Sequence, residues 1–425
     1  MSTSLLNCEV LLSKRIGDYY SSTTTSAGNS SGTTIVDTNL YAYPDNWLQS
    51  QSHLMWDMIT SGDQDEEERR ILSKNNDTLT VLAHGGQIDS GVTYRIHRLY
   101  SPTDKKNALI YACKSAFPFI HNRVEDKSLV SGNWLKDGSF EIWTDSTDLT
   151  YWTKTTSTTT QTSTAYLFKH GSCSCKIDTA AGNVKQSVSN WDDLKHLQGK
   201  SVTFSIQGWC DTASCLRIGI NDGTTITYSD YHSGNSAWTD DPLKVTATIQ
   251  DNPTAIEFII YHENAAGTSY VDDARVISSG HPRIYIDNLN LAGVPHSVSY
   301  ETSDYTNNWI QIKGIEYNDG YMVLPSYVPV DRRLKVDGIG YLDFLSSGVS
   351  STSWDATVDI DSPQTEILVT YAAIYLLENS ILPQQDTGSS KLILQALNLW
   401  EKKRLDALRY KMPIPQWTVN QWMFT

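Results

Sequence analysis

Apolar positions follow a helical spacing near both ends of the chain and alternate in strand fashion between them. Over residues 3–18, Leu5, Leu6, Val10, Leu11 and Leu12 recur at helical intervals and Ser4 can cap, so a short amphipathic helix is predicted. Residues 21–34 are a Ser/Thr/Gly stretch, read as a flexible loop or an arm that orders only against a partner. From 34 to 100 the runs Thr33-Thr-Ile-Val, Ile71-Leu, Thr78-Leu-Thr-Val-Leu and Val92-Thr-Tyr-Arg-Ile-His-Arg-Leu alternate as strands. Turn residues separate them at Gly62-Asp, Asn75-Asn-Asp and His84-Gly-Gly. Ser101-Pro-Thr-Asp then opens a helix expected to run to about Phe119, with Ala108, Ile110, Ala112 and Ala116 as its packing face.

A β-rich block of residues 132–279 follows, bounded by Gly132 and by Ser278-Ser-Gly-His-Pro. Beyond it strands resume at Arg283-Ile-Tyr-Ile, Trp309-Ile-Gln-Ile, Tyr321-Met-Val-Leu and Arg333-Leu-Lys-Val. Two helices close the chain. Ser362 as cap and Pro363 in the first turn start one that reaches about Asn379. The second covers about 389–410, with Leu394, Leu397, Leu405 and Leu408 expected to face inward. The tail from Met412 carries two prolines and the tryptophans Trp417 and Trp422, and is expected to extend and dock on a partner. Strands on either side of the block share one texture. The layout is therefore α+β: residues 1–130 and 281–361 form one host fold, 131–280 an all-β insertion, and 362–425 the closing helices and docking tail.

Charge narrows the partners. The formal net charge is -15, which argues against binding nucleic acid by neutralising phosphates. Residues 131–280 alone hold 10 Lys+Arg against 17 Asp+Glu, so nearly half of the excess sits in about a third of the chain. Such a surface suits a channel through which DNA slides without sticking. The longest apolar run, residues 367–377, is interrupted by Thr370 and Tyr371 and falls short of a membrane span. The first residues lack a basic segment, and Glu9 breaks the apolar stretch, so a secretory leader is not expected and assembly in the cytoplasm is. Cysteines 8, 113, 173, 175, 210 and 215 are too few and too uneven for a disulfide framework and lack CxxC knuckles, so free or incidentally paired thiols are expected over zinc.

Enzyme signatures are missing: there is no P-loop, dinucleotide glycine turn, HExxH or GxSxG. Asp192-Asp193, Asp240-Asp241 and Asp272-Asp273 are pairs that any acidic β protein supplies, so no catalytic residue is assigned.

The host segments resemble the head-to-tail adaptor, or connector, proteins of tailed bacteriophages. The likeness lies in the order of Thr33-Thr-Ile-Val-Asp-Thr-Asn-Leu, Tyr43-Pro-Asp, Glu67-Glu-Arg-Arg-Ile, Leu79-Thr-Val, Thr93-Tyr-Arg-Ile-His-Arg and Pro102 with its Ala-rich helix. It continues in Trp309-Ile-Gln-Ile, Leu324-Pro, Arg332-Arg-Leu-Lys-Val, Tyr341-Leu-Asp-Phe-Leu and Pro363 with Tyr371-Ala-Ala-Ile-Tyr-Leu. That resemblance implies a structural protein in the neck of the virion. Its partners would be the portal and the tail or nozzle proteins, and copies of itself in a ring, twelve-fold in that family. DNA would pass through the channel without specific binding, and no membrane would be involved.

The inserted block resembles jelly-roll carbohydrate-binding modules of the family four and nine type. Asn133-Trp-Leu-Lys-Asp-Gly-Ser-Phe-Glu opens it, Leu197-Gln-Gly-Lys-Ser-Val-Thr-Phe-Ser-Ile, Ile218-Gly-Ile-Asn-Asp-Gly and Val245-Thr-Ala-Thr-Ile follow, and Tyr270-Val-Asp-Asp-Ala-Arg-Val closes it. The resemblance implies no required cofactor but a structural calcium, held by Asp137, Glu141 and Asp272 and less by Asp273. The other reading of Asp137 and Asp272 is that they bond turn backbones. Sugar stacking needs exposed rings. Trp143, Tyr228 and Tyr231 are the surface candidates for a cell-surface glycan, whereas Trp152 and Trp238 stand where that family places core aromatics. The alternative function is a glycan-binding receptor-recognition or fibre-associated protein.

Overall fold

The computed structural model describes residues 2–48, 55–278, 283–303, 306–346, 348–381 and 389–413. They divide into two compact units, one of residues up to 122 together with 341–413, the other of residues 123–340. Among the described residues the α-helices are α1 (Leu5–Ile16), α2 (Pro102–Ser115), α3 (Trp191–Leu197), α4 (Thr365–Ile381) and α5 (Ser389–Ala407). Strand residues outnumber helical ones.

In the first unit α1, α2, α4 and α5 pack on one another around Leu5, Leu12, Leu109, Ala112, Ile367 and Ala373, all fully buried. Ser4 caps α1 by accepting from the Asn7 N–H, and Gly17 ends it in the left-handed region. Ser101 and Asp104 form a reciprocal capping box on α2. Two expectations shift here. Helix α4 begins at Thr365, not Pro363, because turn bonds from Thr365 to the Asp361 carbonyl and from Glu366 to the Pro363 carbonyl precede it. Leu394 and Leu405 are 46% and 64% exposed rather than inward, while Trp400 and Ala407 supply the buried side of α5.

Beside the helices runs a six-stranded antiparallel sheet in the order Tyr20–Thr23, Thr93–His97, Met55–Ile59, Glu68–Asn75, Thr78–Val81, Thr34–Val36. The stretch 21–34 is thus no loose arm. Tyr20–Thr23 pairs with Thr93–His97, and the Asn29 carboxamide closes a turn on Thr33. Hydroxyl side chains make this local bonding available where composition alone suggests disorder.

The buried charges of this unit converge on Lys105. Its ammonium lies 2.8 Å from Asp18, donates at 2.8 Å to Ser13 and His97, and lies 3.9 Å from Glu9, which in turn takes Arg95 at 2.8 Å. Burial pushes the Lys105 pKa down and that of His97 well down.

The second unit contains the sandwich. One sheet runs Thr158–Thr162, Ser174–Asp178, Ser269–Ile277, Ser201–Cys210, Ala237–Trp238, with Leu243–Thr248 also pairing to Ser201–Cys210. The other runs Ile226–Tyr228, Leu216–Asn221, Ile256–His262, Gly182–Val188, Thr153–Thr155. All their pairings are antiparallel. Their inner faces share one core, where Val202, Phe204 and Ile206 meet Ile218, Phe258 and Ile260 and the Phe204 and Phe258 rings touch edge to face at 5.7 Å.

Residues 283–340 lie in the same unit as the sandwich. They add a three-stranded sheet (Arg283–Tyr285, Tyr321–Val323, Glu316–Asn318) and a four-stranded one centred on Ser297–Glu301 and Leu334–Gly340. Backbone bonds tie them to the opening of the sandwich: Ser131 N–H to the Arg332 carbonyl at 2.7 Å and Asp331 N–H to the Ser131 carbonyl at 2.8 Å. Arg275 adds an ion pair to Asp331 at 3.0 Å.

Replacing Lys105 with Met leaves Asp18 without its cation in the interior, while Glu9 keeps Arg95. Denaturant unfolding of Lys105→Met is expected to show a loss of ~3–5 kcal/mol, and a loss below ~1 kcal/mol would mean that the network is dispensable.

Candidate functional site

The five-stranded sheet buries Leu216, Ile218, Ile220, Ile256, Phe258 and Ile260, so the residues between them must point outward. The register lines these up in rows. Arg217, Tyr261, Asn183 and Thr155 form one row across four strands. Tyr228, Gly219, Ile259, Lys185 and Thr153 form the next. Asn221 and Glu257 stand opposite each other in a third. Four strands at ~4.8 Å spacing give the first row a span of ~14 Å.

The side chains of this face organise one another. The Arg217 guanidinium lies 4.0 Å from the centre of the Tyr228 ring, 4.7 Å from Tyr231 and 5.8 Å from Tyr261. It pairs with Glu263 at 2.7 Å, and the Tyr231 hydroxyl donates to the same carboxylate. That bond raises the Tyr231 pKa. Tyr228 and Tyr231 are 41% and 40% exposed, and the Tyr228 and Tyr261 rings lie 5.4 Å apart. Gly219 makes the floor between them possible: a Cβ there would come within 3.0 Å of Tyr261 and 3.4 Å of Tyr228. At the far side Glu257 accepts from Lys185 at 2.6 Å and from Asn221 at 2.9 Å, and Lys185 holds it below the ordinary carboxylate range. Two buried polar atoms of the first row, Arg217 Nε and Asn183 Oδ1, have no hydrogen-bond partner. A shallow face with exposed rings and a fixed guanidinium can stack on a flat molecule and bond its hydroxyls.

Of the surface aromatics expected from the sequence, Tyr228 and Tyr231 come together on this face. Trp143 does not. It is 8% exposed in the sandwich core, with its indole N–H donating to the Phe140 carbonyl at 2.7 Å, so it offers no face to a ligand. Trp152 is core, stacked on Phe140. Trp238 is half-buried on the other sheet, opposite Trp209, and donates to the Tyr166 carbonyl. Trp417 and Trp422 lie outside the described residues. Arg217 and Glu263 escape a reading that looks for aromatics alone, and Tyr261 was not among the rings singled out. Their signal was phase: each sits out of step with the apolar run beside it.

The carboxylates expected to hold calcium are engaged otherwise. Asp137, in the left-handed region at φ 51°, accepts from the N–H groups of Glu141 at 2.8 Å and Ile142 at 3.1 Å. Glu141 accepts from the N–H groups of Ser172 and Cys173. Asp272 accepts from Lys169 at 2.6 Å, His170 at 2.7 Å and Asp273 at 2.7 Å. Among the described residues no group of three or more His, Cys, Asp or Glu is arranged to hold a metal ion. Asp137, Glu141 and Asp272 are not gathered into such a group, and each accepts from backbone N–H groups. Asp137 and Asp272 bond turn backbones, the other reading of these residues. Burial lifts Asp137 to about 7 and moves Glu141 and Asp272 upward as well.

No protein-family model matches the sequence, and no curated protein matches it. Among solved structures the chain is similar to TmCBM61 in complex with beta-1,4-galactotriose, at 13% identity over 35% of this chain and 99% of that one, with TM-score 0.28. It is similar to the CBM22-1 xylan-binding domain from Paenibacillus barcinonensis, at 15% identity over 38% of this chain and 99% of that one, with TM-score 0.27. It is also similar to the enzymatically active domain of tailspike protein 4 of bacteriophage CBA120, at 12% identity and TM-score 0.28 over 35% of this chain. The chain spans only 21% of that tailspike domain.

The raised pKa of Asp137 makes the folded form hold more protons than the unfolded form between about pH 4 and 7, so this group's contribution to stability falls as pH rises through that window. Thermal melts of wild type and Asp137→Asn should differ most in favour of wild type near the acid end, with the gap shrinking as pH approaches 7. A gap independent of pH would contradict the assignment.

Proposed function

We propose that the outer face of the five-stranded sheet binds a saccharide and that the chain acts by holding this glycan rather than by catalysis. The observation that carries this is Arg217, stacked on Tyr228 and Tyr231 and paired with Glu263. Pyranose rings present flat C–H faces to tyrosines and hydroxyls to guanidinium, carboxamide and carboxylate groups. Stacking and the ion pair hold the guanidinium in place before the ligand arrives, which lowers the ordering cost of binding. No catalytic group and no metal are needed for this role. The modules named above, TmCBM61 and CBM22-1, are described as bound to galactotriose and as xylan-binding. Which glycan this chain would take is left to its own face.

A second reading concerns placement. The resemblance of the host segments to phage neck adaptors, together with Leu394 and Leu405 exposed three turns apart on α5, supports a virion structural protein. In that reading α5 contacts a further copy or a portal or tail partner, and the sandwich displays the glycan site at the neck.

On a glycan array the full chain should bind at least one oligosaccharide. The Tyr228→Ala, Tyr231→Ala double variant should weaken that binding tenfold or more, about 1.4 kcal/mol, with little change in Tm because both rings are substantially exposed. A flat array for wild type, or equal binding by the variant, would overturn the proposal. For the placement reading, light scattering should show an oligomer that Leu394→Glu with Leu405→Glu dissociates, and a wild-type monomer at all concentrations would count against self-association.

A further inference from the structure

A second site lies away from this face, where the opening of the sandwich meets the three-stranded sheet. A cleft of about 400 Å³ there is lined by Lys136, Tyr151, Asp193, Arg283, Tyr285 and Tyr321. Strand phase builds one wall: Ile284 and Met322 are buried, so Arg283, Tyr285 and Tyr321, which stands opposite Tyr285, share the other side of that sheet. The sandwich supplies the second wall. Trp152 is core and turns its neighbour Tyr151 outward, and the Gln186 carboxamide clamps the Lys136 backbone from both sides, at 2.8 and 2.9 Å.

The Lys136 ammonium sits 4.3 Å from the centre of the Tyr285 ring, with Tyr151 at 5.7 Å and Tyr321 at 5.8 Å. Arg283 lies 4.8 Å from the Tyr321 ring. Tyr285 packs at 5.2 Å from Tyr321 and at 5.7 Å from Tyr151, making a continuous aromatic wall. Neither cation has a carboxylate partner among the described residues, although the chain carries 48 Asp and Glu against 33 Lys and Arg. Two uncompensated cations held on tyrosine rings in an otherwise acidic protein are a feature that surface solubility does not require.

We propose that this cleft binds an acidic saccharide, one bearing a carboxylate as a uronic acid does. The carboxylate would lie between Lys136 and Arg283, the sugar ring would stack on the Tyr285–Tyr321 wall, and Asp193 would accept from ring hydroxyls. Diffuse attraction cannot produce such binding, because a chain of net charge -15 repels acidic polymers. The site is independent of the Arg217 face and does not rest on the function proposed for it.

The test is affinity electrophoresis of the full chain in gels containing polygalacturonate, alginate, hyaluronan or polysialic acid, with galactan and xylan as neutral polymers. At least one acidic polymer should retard wild type. Arg283→Met, at an exposed position, and Lys136→Met with Arg283→Met should each weaken that retardation, the double variant fivefold or more, with unchanged melts confirming folding. Tyr231→Ala should leave it intact. The proposal is overturned by no retardation in any of the four acidic gels, by retardation that the Met variants do not change, or by equal loss in Tyr231→Ala. Binding to a neutral polymer alone would overturn this proposal while sparing the Arg217 face.

Discussion

Side chains of a strand alternate between two faces, and burying one face of a sheet commits every residue between the buried positions to the other. Much of what this chain presents to a ligand follows from that constraint. Burial of Ile218, Ile220, Phe258 and Ile260 turns Arg217, Gly219 and Tyr261 outward in register. Burial of Ile284 and Met322 does the same for Arg283, Tyr285 and Tyr321 on a much smaller sheet. A one-residue slip in either pairing would send tyrosines into the core and isoleucines into water, so packing of the interior and geometry of the exposed faces are the same fact seen from two sides.

Charge is placed by a complementary rule. Inside, each buried charge is given partners: Lys105 has Asp18, Ser13 and His97, and Asp272 has three backbone N–H groups. On the two exposed faces the cations sit on aromatic rings instead, the Arg217 guanidinium on Tyr228 and Tyr231 and the ammonium of Lys136 on its tyrosines. In the former places the groups stabilise the fold. In the latter they are held by ring contacts and by the neighbouring backbone while remaining available to a further molecule.

Much of the fold was legible as pattern. The capped first helix and the Ser101-Pro helix appear where apolar spacing and cap residues put them, and both closing helices are present, the first starting two residues later than expected. What failed were judgements of exposure and of local order. Trp143 looked like surface and is core, because the loop after Asp137 folds its indole onto the Phe140 carbonyl. The 21–34 stretch looked loose and is partly strand, because its neighbour Thr93–His97 offers a ladder that no local signal announces. Leu394 and Leu405 looked inward and are not, because Trp400 and Ala407 occupy the side of α5 that meets α4.

By itself the sequence determined periods, caps, turns and the inventory of rings and charges, since those depend on residues within a few positions of one another. It also determined that Tyr228 and Tyr231 could share a neighbourhood, being three residues apart. Only the tertiary structure decided that Arg217 and Glu263, 46 residues apart, would meet them, and that Lys136 and Tyr151 would face Tyr285 and Tyr321 across a cleft. The physical reason is register: which residues stand side by side depends on which strands pair and with what offset, and that choice is made by the whole core at once rather than by any segment.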